Sequence, residues 1–171
     1  MTYPSWRFCI SEEDFLSRWQ GRSDAKIFFD GASKGNPGNS GASGLIISPD
    51  RVDNTSFSWG LGINTNNQAE SYNLLKACQI AKDLVHKRIQ NFRDSELLIK
   101  LLNSENHFCN VVLNNTLQRI RNTMKYFDYV AIYHIMWDLN KLADSLANKG
   151  CLLSQGYLSL NGGPCSNHPL P

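Results

Sequence analysis

Apolar residues come in short runs over the first third of the chain and then switch to a spacing of three and four from Asn67 onward. The runs Lys26 to Ala32, Gly41 to Ser48 and about Asn54 to Gly60 are separated by GASKGNPGNSG and SPDRVDN, whose Gly, Pro, Asn and Asp form turns. Three short strands joined in this way predict an antiparallel meander. Leu74, Ala77, Cys78, Ala81 and Val85 then mark one face of a helix running from Asn67 to about His86. A polar strand over Arg88 to Arg93 precedes the helical stretch SELLIKLL and a helix from near Cys109 to Met124. An aromatic and β-branched run from Tyr126 to Ile135 predicts another strand, and a last helix is expected from about Asn140 to Lys149. The predicted order is βββαβααβα, an α/β chain.

Two flanking segments stand outside this pattern. In residues 1–24, Ser11 and Asp14 have capping-box spacing before a short amphipathic turn or two, so this part is expected to be an N-terminal appendage. Residues 151–171 carry Gly, Pro and Ser punctuation and no period, which predicts a flexible tail. The domain proper is expected over residues 25–150. A length of 171 residues allows one domain with a core and is short for two.

Composition narrows the class. With 42% hydrophobic and 19% charged residues the chain reads as globular, and a net charge of +2 permits nucleic acid as a partner without arguing for it. The five cysteines are odd in number and show no CxxC pair, which indicates neither a zinc site nor a disulfide framework. The N-terminus lacks the pattern of a signal peptide, and no apolar run approaches the ~18 residues of a membrane span. The expectation is an intracellular protein of cytoplasm or nucleus, with no membrane partner.

Four carboxylates fall where predicted strands and helices meet: Asp30, Glu70, Asp94 and Asp144. Asp30 ends the run Ile27, Phe28, Phe29, where strand propensity disfavours an acid, and Glu70 lies about 40° from Leu74 on the helix's core-facing stripe. A carboxylate prone to burial needs a partner, and a cation is the obvious one. Four acids converging on one sheet edge make a cage for hard divalent cations, the chemistry of phosphodiester cleavage. Singly, Asp94 beside Ser95 reads as a helix cap, Asp144 as a solvated acid in a first turn, and His134 as a structural histidine. Their joint spacing changes that reading. GNPGNSGASG lacks the GK[ST] ending of a phosphate loop and is followed by strand-like GLIIS, so its glycines are assigned to a hairpin.

The ordered motifs DGASKGNPG, TNNQAE, DSELLIKLL and His134 through Asp144 resemble the type 1 ribonuclease H family, especially the plant domains associated with non-LTR retroelements. The resemblance covers roughly residues 25–150. It implies the ribonuclease H-like fold, a five-stranded mixed sheet flanked by helices. It implies two divalent ions, Mg²⁺ or Mn²⁺, held by Asp30, Glu70, Asp94 and Asp144, with His134 assisting proton movement or product release. Ser33, Asn36, Asn66 and Asn67 would read RNA 2′-hydroxyls, and Thr65 would help hold a DNA phosphate.

The implied activity is metal-dependent endonucleolytic hydrolysis of the RNA strand of RNA-DNA hybrids, leaving 5′-phosphate and 3′-hydroxyl ends. A monomer without an organic cofactor is expected. The competing reading is a catalytically silent, retroelement-derived nucleic-acid-binding module, against which the four intact acids argue. An actin-like ATPase, which also places DG near a first-strand turn, is disfavoured by NNQAE and the terminal His/Asp pair.

Overall fold

The computed structural model describes residues 6–7, 20–93, 111–134 and 152–170, with Glu13, Ser17 and Arg18. Its strands are β1 (Trp6–Arg7), β2 (Ala25–Gly35), β3 (Gly38–Ile47), β4 (Asn54–Asn64), β5 (Arg88–Arg93), β6 (Tyr129–His134), β7 (Tyr157–Leu160) and β8 (Cys165–Asn167). The helices are α1 (Asn66–Asp83) and α2 (Val111–Met124). Among the described residues one sheet has the order β1-β6-β5-β2-β3-β4-β7-β8. The meander β2-β3-β4 is antiparallel, while β5 runs parallel to β2 and β6 parallel to β5. These are the five strands expected; the helices expected over SELLIKLL and residues 140–149 lie outside the described residues.

The polar strand β5 sits centrally with its side-chain donors answered, Asn91 Nδ2 by the Ala131 carbonyl, while Gln90 Oε1 and Asn91 Oδ1 are buried without a partner among the described residues. Asp24 accepts from Arg88 Nε at 2.7 Å and from Gln90 Nε2 at 2.8 Å. Burial by itself pushes the Asp24 carboxyl up, but these hydrogen bonds and the Arg88 charge hold it below its usual value.

The larger core lies between the sheet and the two helices, with Ile27 and Phe29 of β2 under α1. A smaller cluster of Phe28, Ile47, Phe92, Ala131 and Tyr133 occupies the opposite face. Helix α2 is amphipathic, burying Leu113, Leu117, Ile120 and Met124. Helix α1 is buried continuously over residues 69–78, as befits a helix covered on more than one side. Burial pushes the pKa of the free thiol of Cys78 up to about 12, so it stays protonated and inert. No helix among the described residues is long and apolar enough to cross a membrane.

Four expectations are corrected. First, the hairpin is longer than the sequence pattern suggests: the ladder continues through Ala32↔Gly41, Ser33↔Ser40, Lys34↔Asn39 and Gly35↔Gly38. Small residues there hid the strands. Second, α1 stops at Asp83, and Val85, expected on the core face, is 72% exposed with φ 64°. The chain has turned before Val85 can reach the core: its N–H donates to the Lys82 carbonyl and that of His86 to the Ala81 carbonyl.

Third, β1 pairs in parallel with β6, so the N-terminal part contributes a strand to the sheet. Fourth, the expected flexible tail forms an antiparallel hairpin, β7 against β4 and β8 against β7. Its turn runs from Leu160 to the Gly163 N–H, with Asn161 at φ 53° and Gly162 at φ 72°, a type I′ turn. Asn161 also clamps Ser56 of β4 through two 2.8 Å bonds, and the segment crosses β4 so closely that a Cβ on Gly60 would collide with the Leu153 and Ser154 carbonyls.

Candidate active site

Asp30 stands on β2 opposite Ser43 and is buried, 7% exposed. Because strand side chains alternate, Asp30 belongs to the set of Lys26 and Phe28, while Gly31 belongs to the set of Ile27 and Phe29 under α1. A Cβ on Gly31 would lie 2.9 Å from the Ala69 carbonyl carbon and oxygen and 3.1 Å from the Glu70 nitrogen. Only glycine lets the helix backbone settle this closely on the sheet. The backbone of Glu70 is thereby set against the residue after Asp30, and Glu70 is itself buried, 9% exposed.

The parallel strands bring further positions to the same end of the sheet. The rings of Phe28, Phe92 and Tyr133 stack across β2, β5 and β6, with centroids 5.3 and 5.5 Å apart. One residue beyond this row Arg93 pairs with His134, and two residues beyond it on β2 stands Asp30. The structure thus places the backbone of His134 at the sheet end where Asp30 sits. Asp94 and Asp144 lie outside the described residues. Among those described, no group of three or more His, Cys, Asp or Glu side chains is arranged to hold a metal ion.

The residues expected to read substrate gather at the N-terminus of α1. Thr65 is its N-cap: Oγ1 accepts from the Gln68 N–H at 3.2 Å, and the Thr65 N–H donates to Gln68 Oε1 at 3.0 Å. This capping box has the spacing Thr-x-x-Gln, legible in TNNQ though not anticipated above. Asn36, at the hairpin tip, accepts with Oδ1 from the Asn66 N–H at 3.2 Å, so two expected readers are tied to each other. Ser33 Oγ donates toward the carbonyls of Gly35 and Asn64, and Ser40 Oγ also reaches the Asn64 carbonyl at 3.2 Å. Asn64 and Ser40, unforeseen from sequence, thus lash hairpin and helix start together. Asn66 is exposed and Asn67 half-buried.

Comparison with known proteins agrees with this geometry. The description of the reverse transcriptase-like family matches residues 28–150. A ribonuclease HI of Halobacterium salinarum is 34% identical over 122 residues, 71% of this chain. The chain spans 61% of the length of that curated relative. The crystal structure of a ribonuclease H1 from the same organism superposes with a TM-score of 0.68 at 32% identity, covering 74% of this chain and 96% of that one. A ribonuclease H1 isolated from compost, solved in complex with an RNA/DNA hybrid, has a TM-score of 0.65 at 24% identity over 75% of this chain and 96% of its own.

Proposed function

Since the chain belongs to the reverse transcriptase-like family of ribonuclease H domains, we propose that it hydrolyses the RNA strand of RNA-DNA hybrids to 5′-phosphate and 3′-hydroxyl ends. The observation that carries this reading is the seating of Glu70 against the Asp30-Gly31 step, at the same helix end where Thr65, Asn66 and Asn36 converge. The hybrid-bound state of a neighbour with the same fold supports it.

The donor types fit hard divalent cations: buried Asp30 and Glu70 offer carboxylate oxygens, and Asp94 and Asp144 would complete the set. When bound, two Mg²⁺ or Mn²⁺ ions supply a polarised water and charge stabilisation at the departing 3′ oxygen. The protein's own groups do the rest. Asp30 and Glu70 are held by strand and helix backbone, so they present oxygens without rearrangement. His134, at the end of β6, moves a proton or eases product departure. Asn36 spends its Oδ1 on the Asn66 N–H and keeps its NH₂ for a 2′-hydroxyl; Ser33, Asn66 and Asn67 would read neighbouring 2′-hydroxyls. Thr65 accepts with Oγ1 in the cap and keeps its O–H to donate to a DNA phosphate, where the helix N-terminus also favours negative charge. The reading needs neither an organic cofactor nor a second subunit.

The test is cleavage of one labelled sequence as hybrid, duplex DNA, duplex RNA and single-stranded RNA, in Mg²⁺ and in Mn²⁺. Hybrid is expected to be cut in strong preference. Equal cutting of duplex DNA overturns the proposal, and metal-independent hybrid binding with no cutting establishes the silent module instead.

A further inference from the structure

Towards its C-terminal half, α1 carries a charge with no opposite charge beside it. Lys76 is 7% exposed, and among the described residues its ammonium has neither a hydrogen-bond acceptor nor a carboxylate within ion-pair reach. Its neighbour is the Trp59 ring, with Nζ 4.4 Å from the centroid. Burial draws the amine below the ordinary lysine range, and Asp83 only partly counters it. The side chain is buried while Lys76 borders a half-open cavity, so its charge is partly desolvated and met, among the described residues, by the Trp59 ring alone, and a methionine would fill similar space without that cost.

Lys76 lines a half-open cavity of about 400 Å³, a volume in the range of small-molecule sites. The C-terminal hairpin builds its outer wall. There Leu158 and Leu160 face Ile80 and Leu84 of the helix side, and His168 stands at the polar end. The backbone of His168 is fixed on both sides: its N–H donates to the Gly156 carbonyl at 2.6 Å, and its carbonyl accepts from Trp59 Nε1 at 2.9 Å. The charged lining is Lys76 and Lys82 against Asp83, an excess of positive charge even with His168 neutral.

We propose that this cavity binds a small amphipathic anion, a carboxylate or phosphate monoester whose head sits on Lys76 and His168 and whose apolar body lies against Ile80, Leu84, Leu158 and Leu160. Both halves of such a ligand are matched: the head gives Lys76 a counter-charge, and the body covers Leu84 and Leu160, which are 43% and 41% exposed. Lys76 follows Glu70 by six residues, about 9 Å along the helix axis. Occupancy is therefore read by binding, apart from any cleavage.

The experiment is calorimetric titration of the full chain with octyl phosphate, octanoate, octanol and inorganic phosphate. One or both amphiphilic anions should bind one to one, and their ratio tells a phosphate head from a carboxylate. Octanol and inorganic phosphate should each bind about 10- to 100-fold more weakly, as expected on losing the charged contact or the apolar one. Lys76→Met should lose a similar factor while unfolding at the same temperature or higher, and Lys76→Arg should retain binding. Leu160→Asp, at the exposed rim, weakens binding by repulsion and serves if Lys76→Met does not fold. Failure of both octyl phosphate and octanoate to bind one to one overturns the proposal, as does undiminished affinity in Lys76→Met or Leu160→Asp.

Discussion

The two ends of α1 are stopped by different means. At the N-terminus the partners come from elsewhere in the chain as well as from the helix: Thr65 and Gln68 close a capping box, Asn36 reaches across from the β2-β3 tip, and Gly31 seats the first turns on the sheet. At the C-terminus the hydrogen bonds that end the helix are local backbone ones, from the Leu84, Val85 and His86 N–H groups, and the turn tolerates a β-branched residue at φ 64°. The first end is tied to the sheet and hairpin by polar and backbone contacts; the second is held by packing, with Ile80 and Ala81 in the core and Lys82 over the Tyr126 ring. A site that must hold a helix carboxylate against a strand carboxylate belongs at the first end, and Glu70 is there.

The largest expected effect tests whether that end is the catalytic one. Asp30→Asn or Glu70→Gln should lower hybrid cleavage about 10³-fold or more, as loss of several kcal/mol of charge stabilisation implies. Without metal, both variants should melt no lower than the parent, because like-charge repulsion is relieved. Wild-type turnover in either would detach the acids from the chemistry.

A second substitution asks whether the close approach matters in itself. Gly31→Ala puts a methyl against the Ala69 backbone, and overpacking of this kind costs about 1–3 kcal/mol. A shift of ~1 Å in Glu70 should also slow cleavage about 10²-fold. Chemical denaturation and hybrid cleavage together check this; unchanged values in both would mean that the helix is free to re-seat.

Thr65→Ala removes the cap and should cost about 1 kcal/mol of stability. It should also weaken hybrid binding more than binding of single-stranded RNA, since the lost hydroxyl is assigned to the DNA strand. At the other end, Val85→Gly should raise stability by about 0.5–1 kcal/mol, the left-handed strain relieved less the entropy of glycine, measured by denaturant midpoint. Its cleavage rate should equal that of the parent. A slower Val85→Gly enzyme would show that the two ends are coupled after all.

Legibility from sequence follows the same division. The meander, α1, α2 and the strand β5 were readable because each had a period or flanking turn residues, and the family was readable from the order of DG, TNNQAE and the acids along the chain. The depth of the β2-β3 hairpin was not, since Ser33, Lys34, Gly35, Gly38, Asn39 and Ser40 carry too little hydrophobicity to alternate visibly. Val85 fitted the helical face by number alone; nothing apolar near it marks the turn that removes it. The C-terminal hairpin had a signal, Asn161-Gly162 after Tyr-Leu-Ser-Leu, but adjacent Gly163 and Pro164 made it resemble a linker. Ser40, Asn64 and Gln68 were missed because their partners are hairpin and cap backbone groups, which no spacing along the chain advertises.

The passage of the C-terminal segment over Gly60 changes where this domain can be cut. The family resemblance fades at residue 150, a natural place to trim a recombinant protein. Trimming there would strip β4 of its neighbour along Phe57, Ser58 and Trp59, orphan the indole N–H of Trp59 and turn an interior strand into an open edge. Open edges recruit other strands, so the shortened protein should precipitate or associate where the longer one stays dispersed. The folding unit is longer than the homology unit.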